Sequence, residues 1–318
     1  MKLAVIELEC HAEVLRTLMV QLSEIKDIEL IVCTTEEIWE EAAVSVHPKQ
    51  ISILKKKKED MFKFFLKENL EKINAANVIL FNTLQENFHV YNHFVFLPKI
   101  IVRVHNANFY FNSVETYKKD YSNRGLALSL KKLMNGENRH KREFMSKISY
   151  FMFPNMSITK WAIDHTEINK KKVVLNPVPF TYTTFKETKA LKNNASVFNL
   201  LVTGAIDQKR RDYDFLIDVM EELLQKTSRK IRLTLLGEAR GVYASHIVSK
   251  LNEMKSGQFD VLTFPDVVDQ ETYAAKIAGA EVLWAPLKLE TQFHVSKEYY
   301  GKTKVSGGVN DAIHFQKR

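Results

Sequence analysis

The sequence predicts an α/β fold of two doubly wound, Rossmann-like domains. Three observations predict it. Short continuous apolar runs rich in strand formers alternate with helical patterns almost throughout the chain, as parallel strands covered on both faces do. A polar, threonine-rich stretch without a clear period, PFTYTTFKETKALKNNAS at 179–196, interrupts that alternation and reads as the connection between domains. The alternation then restarts, and its first two apolar runs both end in glycine.

In chain order, LAVIEL (3–8) is the first strand. His11 to Ile25 has helical spacing through Val14, Leu15, Leu18, Leu22 and Ile25. IELIVC (28–33), ISIL (51–54), NVILFN (77–82) and KIIVRVH (99–105) read as further strands, and YFMF (150–153) and KVVLNPV (172–178) continue the series. After the connection, FNLLVTG (198–204) is a strand, followed by a helix with Phe215, Leu216, Val219, Met220, Leu223 and Leu224 on one stripe. IRLTLLG (231–237), VLTF (261–264) and EVLWAPL (281–287) are the remaining strands. Helices are expected around Tyr243 to Met254, over Gln270 to Ala278 and within 303–314, the last with Val305, Val309, Ala312 and Ile313 toward the core.

A chain of 318 residues that is 45% hydrophobic can bury more than one domain core. With 26% charged residues and little glycine or proline, it is neither disordered nor fibrous. Cys10 and Cys33 are too few for a disulfide framework, so a reduced, cytoplasmic compartment is expected. MKLAVIELE does not read as a signal peptide, and no apolar run reaches membrane-spanning length. The net charge of +8 suits solubility, anionic substrates or an anionic membrane surface. The run Lys55 to Lys58 before MFKFFL (61–66) reads either as a solvated helix start or as a peripheral contact with the inner face of the plasma membrane. Basic residues are otherwise spread out and no nucleic-acid motif is present.

Two stretches suit a phosphorylated ligand. In LVTGAIDQKRRDY (201–213), Gly204 lets the backbone turn sharply after a strand, and Lys209, Arg210 and Arg211 follow at a helix start. Cations are disfavoured there by the macrodipole, and a bound anion offsets both charges; the alternative is solvent-facing charges partnered by Asp207, Asp212 and Asp214. In EYYGKTKVSGGVNDAI (298–313), Gly301 permits a tight turn, and Thr303 or Ser306 can cap a helix whose amides face an anion. Lys302 and Lys304 add charge, and Gly307 and Gly308 allow close approach. Neither a P-loop nor a G-x-G-x-x-G fingerprint is present, nor a metal-ligand spacing. His105, Asn106 and Asn108 follow the strand KIIVRV, and His11 follows the first strand, at the ends where such folds bind ligands.

The stretches LLVTGAIDQKRRDYDFLIDVM, LTLLGEARG, FPDVVDQETYAAKIAGAEVLWAPL and EYYGKTKVSGGVNDAIHF carry a family resemblance. They resemble the bacterial GT-B glycosyltransferases, the group that includes retaining sugar transferases of surface polysaccharide synthesis. The resemblance implies residues 1–180 as an acceptor-side domain and 196–318 as the nucleotide-sugar domain, facing each other across a cleft. It implies a hexosyltransferase, retaining and metal-independent, that needs no cofactor. Its donor is a nucleoside diphosphate sugar and its acceptor a glycan or lipid-linked glycan of capsule or O-antigen synthesis.

Carried over by residue, Gly204 looks like the glycine after that domain's first strand, and Lys209 or Arg210 like the cation on the donor diphosphate. Val267 looks like a residue against the base. Glu298 and Gly301 resemble the start of an E-x-F-G-like motif that meets the donor sugar, and Lys302, Lys304, Ser306 and Gly307 look like phosphate or ribose contacts. His105 looks like the histidine near the reacting sugar, and with Glu298 it is the catalytic candidate. The sequence departs from the pattern in two ways. The family's second glutamate falls on Ser306, and ECHAEV replaces a glycine-rich loop after the first strand. The chain also stops at HFQKR, where relatives continue, so a shortened C-terminal domain is expected. Two other readings of the same architecture are a non-catalytic binding protein and a sugar-nucleotide epimerase that needs no acceptor.

Overall fold

The computed structural model describes residues 1–42, 44, 47–111, 136–168, 172–175, 196–293 and 296–317. The chain divides into two compact units, 1–181 and 182–318. Most of the connection expected at 179–196 lies outside the described residues.

Unit 1 is built on a seven-stranded parallel sheet in the order β3-β2-β1-β4-β5-β6-β7. The strands are β1 (Lys2–Glu7), β2 (Glu29–Thr35), β3 (Gln50–Lys56), β4 (Val78–Phe81), β5 (Lys99–Arg103), β6 (Tyr150–Phe153) and β7 (Val173–Leu175). Helices α1 (Ala12–Ser23), α2 (Glu36–Ala42), α3 (Phe62–Asn74), α4 (Phe88–Tyr91), α5 (Ala107–Phe111), α6 (Glu137–Lys147) and α7 (Met156–His165) run between or after the strands. One core joins Leu3, Val5, Leu30, Val32 and Leu80 of the sheet to Leu15, Leu18, Met19 and Leu22 of α1. Alternation along β4 turns Phe81 away from that core. Its ring meets Tyr91 at 5.1 Å and Phe144 at 5.4 Å, both edge-on, the geometry aromatic pairs prefer.

Unit 2 has a four-stranded parallel sheet in the order β10-β9-β8-β11. Its strands are β8 (Val197–Thr203), β9 (Lys230–Glu238), β10 (Phe259–Phe264) and β11 (Val282–Leu283), with α8 (Tyr213–Lys226), α9 (Val242–Glu253) and α10 (Gln270–Ala278) between them. An antiparallel pair, β12 (Glu290–Phe293) and β13 (Ser296–Tyr299), precedes α11 (Gly307–His314). Leu216, Ile217 and Met220 of α8 join Val202, Leu233, Leu235 and Val261 in the main core. In both sheets the order of strands reverses next to the first strand of the unit, between β1 and β4 and between β8 and β11. Ligands bind open α/β sheets outside the carboxyl ends of strands at such switch points.

Four details differ from the sequence reading. EVLWAPL contributes a strand of only two residues, Val282–Leu283, and the β12–β13 pair follows it. Phe215 lies outside the buried face of α8, 55% exposed. Ala312 of α11 and Phe315, which caps its end, reach the small core around Leu236 and Ile277, while Val309 and Ile313 are exposed. Lys55 and Lys56 end β3, an outer strand of the sheet, instead of starting a helix; lysines on an edge discourage pairing with another chain.

Candidate functional site

In unit 2 the chain leaves β8 through Gly204 at φ +85°, a left-handed conformation that favours glycine. A Cβ on Gly237 would lie 2.2 Å from the carbonyl carbon of Gly204. Glycine at 237 thus lets the ends of β8 and β9 abut. Arg211 folds back over this turn, donating from Nη2 to Thr203 O at 2.6 Å and from Nη1 to Ala205 O at 2.9 Å. It braces the turn and leaves Lys209 and Arg210 as the cations facing outward.

The three aspartates divide their work. Asp207 accepts from the Lys209 amide at 2.8 Å and pairs with Arg210 at 3.4 Å. Asp212 caps α8 by accepting from Phe215 N at 3.1 Å. Asp214 stands 3.9 Å from Lys250.

The segment 207–212 is stitched to the chain beyond β11. Asp212 N donates to Pro286 O at 2.8 Å, Lys288 N donates to Arg210 O at 3.1 Å, and Thr291 Oγ1 donates to Lys209 O at 3.1 Å. Thr291 is in turn the partner of Glu298 across β12 and β13. Gly301, at φ +80°, closes a tight turn in which its amide donates to Lys304 O at 2.9 Å.

The result brings Lys209, Arg210, Glu298, Gly301 and Lys304 together, from stretches some ninety positions apart. Burial pushes the Lys304 ammonium down to about 8, with Arg210 adding to the fall and Glu298 opposing it. A bound anion would reverse that shift. Glu298 itself is fully buried. Lys302 is exposed in the same turn.

Ser306 caps α11, accepting from Val309 N at 3.4 Å, and Gly307 opens the helix. A Cβ on Gly308 would meet Thr203 Oγ1 at 2.9 Å, so the first turn of α11 sits against the end of β8. A cavity of about 400 Å³ lies beside this group, lined among others by Ala205, Asp207, Lys209, Glu238, Arg240 and Tyr243. Arg240 pairs with Glu238 and Asp266, both at 2.7 Å. Val267, 77% exposed, does not line the cavity. Arg211, read from sequence as one of three anion-facing cations, instead braces the turn, and Glu238 and Arg240 were missed, although GEARG begins with a strand-ending glycine as GAIDQKRR does.

The carboxyl ends of the strands of unit 1 hold a different assembly. His105 is half-buried; its Nε2 lies 2.8 Å from Asn82 O, and its ring stacks on His11 at 4.5 Å. His11 Nδ1 is 3.0 Å from Glu13 Oε1. Burial works against the charged imidazole, but hydrogen bonds with Cys10 and Glu13 raise its pKa to about 10. Burial pushes the Glu9 carboxyl up to about 7, against the amides of Gln85 and Glu86 that donate to it. Glu7 is wholly buried and accepts from Asn82 and Thr83. The two histidines here were singled out from sequence, as were Asn106 and Asn108, which are buried just after β5; Glu7, Glu9 and Asn82 were not. Glu7, Asn82 and Arg103 carried a signal of their own, a polar residue breaking an apolar run at a strand end.

No protein-family model and no curated protein sequence matches this chain. Solved structures do. MnaA of S. aureus, in a co-structure with UDP, aligns over 99% of this chain and 77% of its own at 11% identity and a TM-score of 0.54. The N-terminal domain of Candida albicans trehalose-6-phosphate phosphatase aligns over 99% and 80%, at 12% identity and 0.60. Anabaena HepE in complex with UDP aligns over 100% and 79%, at 12% identity and 0.58.

The fold is GT-B. At these identities the likeness is one of fold, carried by two Rossmann-like units. Among the described residues no helix is long and apolar enough to cross a membrane, and no group of three or more histidine, cysteine or acidic residues could hold a metal ion.

Proposed function

We propose that unit 2 binds a nucleoside diphosphate sugar and that the chain transfers the sugar to a glycan or lipid-linked acceptor in surface polysaccharide synthesis, with unit 1 serving the acceptor. The observation that carries this reading is the convergence of Lys209, Arg210 and Lys304 on the glycine turn at the end of β8, beside the start of α11. The UDP present in the MnaA and HepE structures supports it. As the glycosidic bond breaks, negative charge collects on the leaving diphosphate. Preorganised cations and helix amides stabilise that charge more in the transition state than in the ground state. Glu298 opposes the fall in the Lys304 pKa and favours the charged form of that half-buried side chain. In this reading the cations take the role a divalent ion has in other transferases, and the configuration at the sugar is retained.

The test is thermal unfolding of the full chain against UDP, GDP, ADP, TDP and CMP, with Lys304→Ala as control. A ligand at about one hundred times its dissociation constant adds about 2.7 kcal/mol. One nucleotide is expected to raise the unfolding midpoint, and the variant to lose the shift. If a folded protein responds to none of them, the donor site and the transferase reading both fall.

A further inference from the structure

The strand ends of unit 1 carry a polar row that the proposed function does not use. Register sets Thr34 of β2 beside Glu7 of β1, and Arg103 of β5 beside Met152 of β6. Asn82 follows directly after β4, whose last residue Phe81 pairs with Ile6 on one side and Val102 on the other. Asn82 therefore stands between Glu7 and Arg103. The row Thr34, Glu7, Asn82, Arg103 lies two residues beyond the apolar row Val32, Val5, Leu80, Ile101 and on the same face. Relative exposures are 0% for Thr34, Glu7 and Asn82 and 2% for Arg103. The row crosses the switch point between β1 and β4.

The hydrogen bonds in this row do not balance. Glu7 Oε2 accepts from Asn82 Nδ2 and Thr83 Oγ1, both at 2.6 Å, and Oε1 accepts from the amides of Glu9 and Cys10, both at 3.3 Å. The carboxylate is saturated by these donors. It supplies Arg103 with an opposing charge but no hydrogen bond. Nε, Nη1 and Nη2 of Arg103 have no hydrogen-bond partner among the described residues, and neither do Thr34 Oγ1 and Asn82 Oδ1. Buried polar groups are hydrogen-bonded as a rule, and each exception calls for a cause. The planar fork of a guanidinium matches the paired oxygens of a carboxylate or phosphate.

We propose that this row is an oxyanion-binding site of unit 1, taking a carboxylate or phosphate group that carries a hydroxyl nearby. Arg103 forks onto the oxyanion, and Asn82 Oδ1, on the adjacent strand end, accepts from the neighbouring hydroxyl. The site is independent of the nucleotide reading, because Arg210 and Lys304 belong to unit 2.

The experiment unfolds the full chain thermally in chloride, inorganic phosphate or glucuronate at matched ionic strength, with glucose as an uncharged control. Phosphate or glucuronate is expected to raise the midpoint of wild type and of Lys304→Ala, and glucose to leave it unchanged. Arg103→Met is expected to lose the rise. A response to phosphate alone points to a phosphorylated group, and a response to glucuronate points to an acidic sugar. If Arg103→Met does not fold, the slowly exchanging Nε–H resonance of the buried arginine in labelled wild type is followed through the same titrations and is expected to move. The site is overturned if neither anion shifts wild type, if Arg103→Met keeps the shift, or if the resonance stays still. A shift that Lys304→Ala loses and Arg103→Met keeps also overturns it, since the anion then sits in unit 2.

Discussion

The two units finish the carboxyl ends of their parallel sheets by different means. Unit 1 does it with side chains. No glycine precedes Gly125, so the ends of β1 to β5 contain none, and they are lined by Glu7, Asn82, Thr83 and Arg103, bonded or charge-coupled to one another. Unit 2 does it with backbone. Gly204, Gly237 and Gly308 let strand ends and a helix start approach closely, and the charged groups Lys209, Arg210 and Lys304 arrive from outside that frame. A site built from side chains is sensitive to which polar group stands in the row. A site built from backbone is sensitive to any added atom.

Glu7→Ala is the largest expected break in this contrast. It strips the acceptors from Asn82, Thr83 and two amides and leaves the buried Arg103 charge without its counterpart. Removing one partner of a buried charge pair costs about 3–5 kcal/mol. Urea denaturation reads it, and a cost below about 1 kcal/mol would show that side-chain bonding does not hold this edge. Next comes Gly237→Ala in unit 2. The new Cβ meets backbone atoms of Gly204 and Ala205 between 2.2 and 2.6 Å away, which cannot swing aside as a side chain can. Overpacking of this kind costs about 1–3 kcal/mol, measured the same way; a neutral outcome would mean that β8 and β9 tolerate separation.

The smallest effect is a difference in pH dependence. Burial raises Glu9 from 4.5 to about 7. Its contribution to stability is therefore fully present below pH 4.5 and is lost as pH rises through about 7. Lys304 is lowered from 10.5 to about 8 by burial and by Arg210. Its contribution is fully present above pH 10.5 and is lost as pH falls through about 8. Unfolding midpoints measured across pH should show Glu9→Gln removing a decline between pH 4.5 and 7, and Lys304→Met removing a rise between pH 8 and 10.5. Equal slopes in wild type and variant would mean that neither group is held in the buried setting described.

Much of the architecture was legible because periodicity reports local burial directly. Runs such as ELIVC in β2 and NLLVT in β8 read as strands because parallel strands covered on both faces are apolar throughout. The glycine turn at 204 and the cap at Ser306 were legible for a similar reason: φ above zero and an N-cap hydroxyl are demands met by single residues. The β12–β13 pair was not legible. ETQF and SKEY are polar and short, and they are joined by pairing with each other, by the Glu290–Lys297 ion pair at 2.8 Å and by the bond from Thr291 to Lys209. Val309 and Ile313 misled because α11 has only eight residues, too few for a stripe to show which side faces the core.

By itself, then, the sequence determined two alternating α/β units and the chemical character of their loops, because strand burial, turn dihedrals and capping each depend on a few neighbouring residues. Only the tertiary structure decided which polar groups meet. Thr34, Glu7, Asn82 and Arg103 come from separate strands and share a row through the register of the sheet. Lys304 reaches Arg210 through a hairpin whose bonds span some eighty positions. Register and hairpin pairing are settled by packing across the whole unit, and no local stretch of sequence contains that information.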